Sequence, residues 1–268
     1  MRPTFDALVR DAEAAPMEGW DFSWLDGRAT EERPSWGYQR ALGERMARAT
    51  AALDLQTGGG EVLLGVPRLP VPTVATEAWP PNAARATALL RPRGVAVVAT
   101  PDGPPLPFAD GAFDLVVSRH PVAVHWPEIA RVLAPGGTYF SQQVGPESGF
   151  ELVEFLCGPL PAESRRARRP GDAAAAAGAA GLDVADLRSE RLRMEFFDIG
   201  AVVWFLRKVI WLVPGFTVHR YRDRLEELDA RMRREGSFVA HSARFLIEAR
   251  MPDAGQAAAR VPVAGAHT

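Results

Sequence analysis

Asp54 closes a short apolar run, and Gly58, Gly59 and Gly60 follow within a few residues. Glycines have no Cβ, so a ligand can approach this backbone closely. A carboxylate beside it suits a ligand with a cationic amino group better than a pyrophosphate. Glu77 stands 17 residues past Gly60. Nucleotide-binding α/β folds place a ribose-binding acid at about this separation, and a carboxylate can accept hydrogen bonds from both ribose hydroxyls. His120 and His125 follow an apolar run that ends at Val117. An unperturbed imidazole titrates at about 6.5, which suits proton removal near neutrality. Both histidines also have a plainer use, holding their loop by hydrogen bonds.

These residues need elements to position them. Ala51, Ala52 and Leu53 suit a short strand buried on both faces. Glu61-Val62-Leu63-Leu64 starts a helix whose first N–H groups face the same ligand. Strand, glycine turn and helix make the nucleotide-binding corner of a doubly wound sheet. The corner is not a P-loop, because Glu61 and Val62 stand where Lys and Ser or Thr are needed. Nor is it a dinucleotide fingerprint, because Leu63 stands where its third glycine belongs.

The stretch resembles the first motif of class I S-adenosylmethionine-dependent methyltransferases, Asp-x-Gly-x-Gly-x-Gly. Asp54, Gly58 and Gly60 match it, and Gln56 replaces its first glycine. Residues 101–114 resemble the family's Gly-Asp-Ala-x-x-Leu-Pro-Phe-x-Asp-x-x-Phe-Asp, through Asp102, Leu106-Pro107-Phe108 and Phe113-Asp114. Ala134-Pro135-Gly136-Gly137 resembles its Leu-x-Pro-Gly-Gly signature. The resemblance covers residues 45–145. It implies a Rossmann-like doubly wound α/β fold with a seven-stranded sheet and an antiparallel last strand. It also implies S-adenosyl-L-methionine as cofactor. Asp54, Gln56, Gly58 and Gly60 would then lie along its methionine moiety and Glu77 at its ribose. Trp79 would cover the adenine, and Asp102, beside Gly103, would accept from the adenine amino group. Ser118 would sit on the strand edge that faces the ligand crevice. The link from Val117 to Glu128 is shorter than is usual in the family, so no histidine role carries over from relatives.

The pattern predicts strands at Thr73–Glu77, Val95–Thr100, Phe113–Val117 and Gly137–Val144. Val184–Met194 and Phe238–Arg250 are candidates for the sixth and seventh strands. Helices are expected at residues 4–15, over most of Thr30–Ala49, at Pro80–Leu90, Glu128–Leu133 and Phe150–Leu156, and as a charged surface helix at Arg220–Glu235. Trp20, Phe22 and Trp24 form a strand or a loop covering the core. Trp36, Tyr38 and Arg40 are either pocket residues or ordinary packing. Phe196–Val218 carries six aromatics and reads as a helical cap over a substrate pocket, with core packing or a dimer contact as the alternatives. Arg165, Arg166, Arg168 and Arg169 read as a solvated turn, with an RNA contact as the alternative. A single domain is expected over 1–251, with a flexible tail at 252–268.

The 268 residues are 47% hydrophobic and 24% charged, enough for one α/β domain with a full core. A net charge of −2 gives no basic field for nucleic acid. The single cysteine, Cys157, excludes an internal disulfide framework and a cysteine metal cluster, and it fits a reducing cytoplasm. Asp6 and Arg10 interrupt any signal peptide. Arg207 and Lys208 interrupt the most apolar run, so no membrane span is expected. The expected activity is methyl transfer to a small, partly apolar or aromatic molecule. The alternatives are an RNA or protein methyltransferase and a non-catalytic cofactor-binding protein. Oligomeric state and the accepting atom (O, N or C) have no signal in these residues.

Overall fold

A computed structural model describes residues 3–17, 19, 21–253 and 255. Glu18, Trp20 and most of the expected 252–268 tail lie outside the described residues. In chain order come α1 (Phe5–Ala14), β1 (Ala29–Glu31), α2 (Tyr38–Met46), β2 (Ala52–Leu55) and α3 (Glu61–Leu64). Next are β3 (Thr73–Glu77), α4 (Pro80–Leu90), β4 (Ala96–Ala99), β5 (Phe113–Arg119), α5 (Trp126–Val132) and β6 (Leu133–Val144). Then α6 (Phe150–Cys157), α7 (Ala162–Arg166) and α8 (Pro170–Ala179) precede β7 (Asp183–Phe196), α9 (Ile199–Lys208), α10 (Val218–Glu235) and β8 (Phe238–Arg250).

The strands form one mixed sheet of eight, in the order β1-β7-β8-β6-β5-β2-β3-β4. The seven expected strands are all present. The eighth is β1, which pairs antiparallel with β7 from a stretch expected to be helical. Pro34 keeps that stretch extended, and the helix starts only at Tyr38. β2, β3, β4, β5 and β6 are mutually parallel. β8 runs against β6, since Met251 exchanges hydrogen bonds with Gly136 and Gly137 while Gly145 donates to Ala243.

The described chain divides into two compact units. The first takes the residues up to Ser35, Val144–Arg169 and Glu190–Arg244. The second takes Trp36–Gln143, Pro170–Ser189 and the chain from Phe245 on. Strands β7 and β8 each give part of their length to both.

The second unit is doubly wound because its strands alternate sides. Ala52, Ala75, Leu115 and Val117 pack with α2 and α4 through Leu42, Met46, Ala86 and Leu90. Leu53, Val74 and Val116 pack on the other face with Trp126, Ile129 and Ala177 of α5 and α8. Side chains on successive strand residues point to opposite faces, so both faces are covered. Register is pinned by Asp114, whose carboxylate accepts the N–H groups of Thr50 and Ala51 at 2.8 and 2.9 Å and the Thr50 hydroxyl at 2.7 Å. Though burial works against it, these donors hold the carboxyl below its usual range.

In the first unit α1, α6, α9 and α10 share one core. The segment expected as a cap does contain a helix, α9, but Phe196 and Trp204 are spent inside this core. Trp204 stacks on Trp24 at 5.6 Å and meets Phe22 edge-on at 5.7 Å. Phe197, Ile210 and Trp211 of the same segment are exposed. A side chain at Gly200 would come within 2.8 Å of the Leu8 carbonyl, so glycine permits the close approach of α1 and α9. The charged helix α10 buries Leu225, Leu228 and Met232 on one face.

Candidate active site

The site of the second unit is built from the carboxyl ends of β2, β3 and β5. After Leu55 the backbone turns left-handed at Gln56 (φ 56°), a conformation that costs a non-glycine residue about 1–2 kcal/mol. Two bonds to β3 hold the turn: Gln56 N–H to Thr76 Oγ1 at 3.1 Å and Thr57 N–H to Thr76 O at 2.9 Å. Gly58 (φ 64°) donates its N–H to Glu77 Oε2 at 2.8 Å, and Glu77 Oε1 accepts the N–H of Trp79 at 3.0 Å. Gly60 (φ 88°) opens α3, and a Cβ there would lie 2.9 Å from Leu90 Cδ1. Its glycine is therefore a packing requirement. Helix α3 is one short turn, cut off by Gly65 and Pro67.

Asp54 is 5% exposed, and among the described residues no cation pairs with it. Burial pushes its carboxyl up to about 7, and the neighbouring Glu77 charge adds to the rise. The Thr57 hydroxyl beside it offsets part of the shift, yet Thr57 Oγ1 is itself buried with no partner at hydrogen-bond geometry. A buried acid without a counter-ion next to an unsatisfied hydroxyl is the arrangement a ligand with a cationic amino group completes. The residues present thus fit an amino-acid moiety at the end of β2.

The facing wall comes from the loops after β4 and β5. Gln56, Thr76, Asp102, Leu106, Ser118 and His125 line one cleft, with Pro101, Pro121, Ala123, Val124, Ile129 and Tyr139 between them. Burial raises the Asp102 carboxyl, and the nearby His125 opposes the rise. Arg131 and Glu128 of α5 hold the Leu106–Asp110 turn. Arg131 donates to the carbonyls of Leu106 and Phe108, and Glu128 accepts the Leu106 N–H at 2.6 Å.

Of the residues expected to act, Gln56, Asp102, Ser118 and His125 meet in this cleft. Gly58 and Glu77 meet one another in the turn, and Trp79 stands beside Glu77 with 57% of its surface exposed. Gly103 has open space around its Cα. Ser118 is buried, with its hydroxyl between Tyr139 Oη at 2.8 Å and Ser141 Oγ at 2.9 Å. His120 is not among the lining residues; its ring meets the Gln142 amide, Nε2 to Nε2, at 2.9 Å. Trp36 and Tyr38 are buried: Trp36 donates to Gln142 and Tyr38 to the Ser118 carbonyl. Arg40 is exposed and pairs with Glu44. Sequence reasoning missed Thr76, Tyr139 and Gln142. Thr76 had a signal in its place next to Glu77 at a strand end; Tyr139 and Gln142 sit in β6 with none.

Residues 53–141 match the model of the methyltransferase domain family. The chain therefore carries a methyltransferase domain over those residues. Solved structures share the fold at low identity. A Bacillus halodurans protein assigned as a methyltransferase is 19% identical over 80% of this chain and 98% of its own, with a TM-score of 0.56. The YcgJ protein of Bacillus subtilis is 18% identical over 81% and 98%, also at 0.56. A Haloferax volcanii protein solved in complex with the Trm112 methyltransferase activator is 20% identical over 94% and 99%, at 0.50. Among curated proteins, none matches the chain by sequence. Among the described residues of this methyltransferase, no helix is long and apolar enough to cross a membrane.

Proposed function

We propose that this methyltransferase acts on a small, partly apolar or aromatic molecule. The observation that carries the cofactor pose is the buried Asp54, which lacks a counter-cation. Asp54 would take the ammonium of the cofactor's amino-acid end, with the Thr57 hydroxyl beside it. The backbone of Gln56, Gly58 and Gly60 would follow that moiety. Glu77 would accept from the ribose hydroxyls, since each of its oxygens accepts one backbone N–H and keeps a lone pair. Asp102 would accept from the adenine amino group, with Gly103 and Trp79 at the same end and Ser118 on the facing strand end.

When bound, S-adenosylmethionine supplies a methyl group on a sulfonium that already activates it toward nucleophiles. The chain's own work is alignment and exclusion of water, and alignment alone supplies about 7–11 kcal/mol. For an acceptor that must lose a proton, His125 in the cleft wall takes it on an imidazole nitrogen, adding about 10²–10⁴ in rate. His120 is the second candidate. We take residues 1–251 to work as one catalytic domain, because β7 and β8 each run through both units. A net charge of −2 supports a small acceptor over RNA.

Calorimetric titration with S-adenosylhomocysteine tests the cofactor pose. A methyl-transfer screen over small molecules, RNA and peptides tests the acceptor class. Transfer to RNA or peptide alone would overturn this reading; cofactor binding with no transfer to any class would make the protein a non-catalytic binder.

A further inference from the structure

Gln56 stands where the family's first motif has a glycine, and its side chain crosses the cleft. Its Nε2 donates to the Ala123 carbonyl at 2.7 Å, and its Oε1 accepts the Val122 N–H at 2.6 Å. One planar amide thus satisfies a donor and an acceptor on adjacent residues of the opposite wall. The wall needs such support. Pro121 has no N–H to give. Val122 is 87% exposed at its side chain, so packing does little to hold it. The segment is anchored at its ends, where His120 N–H reaches Gln142 O at 2.7 Å and the His125 carbonyl caps α5. Gln56 serves its middle. Both Gln56 and His120 hold left-handed backbone (φ 56° and 54°), and such strain collects where surrounding structure fixes a functional geometry.

We propose that Gln56 is a positioning residue: a strap that ties the glycine turn to the Pro121–Val124 wall and so preorganises the cofactor cleft. This rests on the cofactor reading above. The strap replaces the freedom of a bare glycine with a fixed width between the two walls, and the cofactor then binds without having to order the loop. A glycine at the same place would keep the left-handed turn and lose the strap.

Two variants separate the strap from the backbone it sits on. Gln56→Gly relieves the left-handed strain and removes both bonds. Gln56→Met keeps the side chain's length and removes only the bonds. Calorimetry with S-adenosylhomocysteine should show both binding about tenfold more weakly than the parent. Hydrogen exchange without ligand should show the Val122 and Val124 amides exchanging at least tenfold faster, with β2 and β3 unchanged. Thermal midpoints should be level or, for Gln56→Gly, higher. A Gln56→Gly protein that binds as tightly as the parent, or more tightly, overturns the proposal, because the side chain would then be neutral or an obstruction. A parent that does not bind S-adenosylhomocysteine at all overturns the cofactor reading instead. The Val122 exchange rate still judges the strap in that case: no acceleration in Gln56→Met refutes it.

Discussion

Trp36 decides which way round Gln142 faces. An indole N–H can only donate, so the Gln142 atom 2.8 Å from Trp36 Nε1 is the carbonyl oxygen. The amide nitrogen therefore points at His120, 2.9 Å from its Nε2. That nitrogen can only donate, so His120 Nε2 accepts and the ring carries its proton on Nδ1. A proton arriving on Nε2 would set two donors face to face. Nitrogen-15 shifts of the imidazole should report the Nδ1–H form. Trp36→Phe should convert it to a mixture, because Gln142 is then free to turn over. An Nε2–H signal in the parent would refute the arrangement.

The same geometry ranks the two histidines. With an acceptor that must lose a proton, His125→Ala should lower kcat by about 10²–10⁴ at saturating cofactor. His120→Ala should act mainly through the wall, raising the cofactor's KM and lowering kcat by less than about tenfold. The reverse order would make His120 the base. Unchanged turnover in both would leave alignment alone to carry the reaction.

Asp54 couples cofactor binding to pH. Its carboxyl stands at about 7 in the folded protein against 3.8 as the ordinary value, with burial as the main cause. A cationic ammonium favours the ionised form, so binding below pH 7 must expel a proton. Affinity should rise by up to about tenfold per pH unit from pH 5 to 7 and level off above. Calorimetry at pH 6 in two buffers of different ionisation enthalpy counts the proton; equal heats would contradict the pose. Stability runs the other way. For an acid raised on folding, the contribution to stability is present below about pH 4 and is lost as pH climbs through 7. Asp54→Asn should therefore raise the thermal midpoint at pH 8 while weakening binding.

How far the sequence reached depends on where each signal is stored. The Asp54 to Gly60 corner, Glu77 and the Leu106-Pro107-Phe108 turn were legible, because strand ends and glycine turns limit the residues that can occupy them. Thr73–Glu77 and Phe238–Arg250 were found to the residue. The β1 strand was not, since its three residues pair only with the distant β7 and carry no alternation of their own. Nor was the fate of Trp204, because an aromatic run looks the same from sequence whether it lines a pocket or fills a core. Gln56 shows in the sequence only as a departure from a motif. Its partners, Val122 and Ala123, are 66 and 67 residues away, and no local pattern announces them.

Glu77 has two tasks, and substitutions should separate them. One oxygen holds Gly58 and the other Trp79, so the carboxylate shapes the turn before any cofactor arrives. Glu77→Gln keeps the size and one acceptor, and should weaken S-adenosylhomocysteine binding by about 1.5–3 kcal/mol, the scale of a bond to a charged group. Glu77→Ala should lose that and also lower the thermal midpoint, because the Gly58 and Trp79 N–H groups lose their partner. Equal affinity in parent and Glu77→Gln would remove Glu77 from the ribose.

The cleft's other wall depends on Glu128 and Arg131. The Arg131 guanidinium holds the Glu128 carboxyl at about 2, with help from the Leu106 N–H and against a smaller effect of burial. Arg131 in turn is raised by Glu128 and Asp110. An acid lowered on folding contributes stability above its unfolded value near 4.5 and loses it as pH falls through about 2. The shift corresponds to about 3 kcal/mol, and screening at this partly open edge reduces it to about 2. Glu128→Gln should therefore lower the thermal midpoint at pH 7 by about 4–8 °C and flatten the acid limb between pH 4.5 and 2. Arg131→Met should do the same and also free the Leu106 and Phe108 carbonyls. Because both variants loosen the loop that carries Asp102, S-adenosylhomocysteine affinity should fall with each. The double variant should cost less than the sum of the singles, since either change already breaks the pair. Strict additivity would show that Glu128 and Arg131 act separately and that the loop is held by something else.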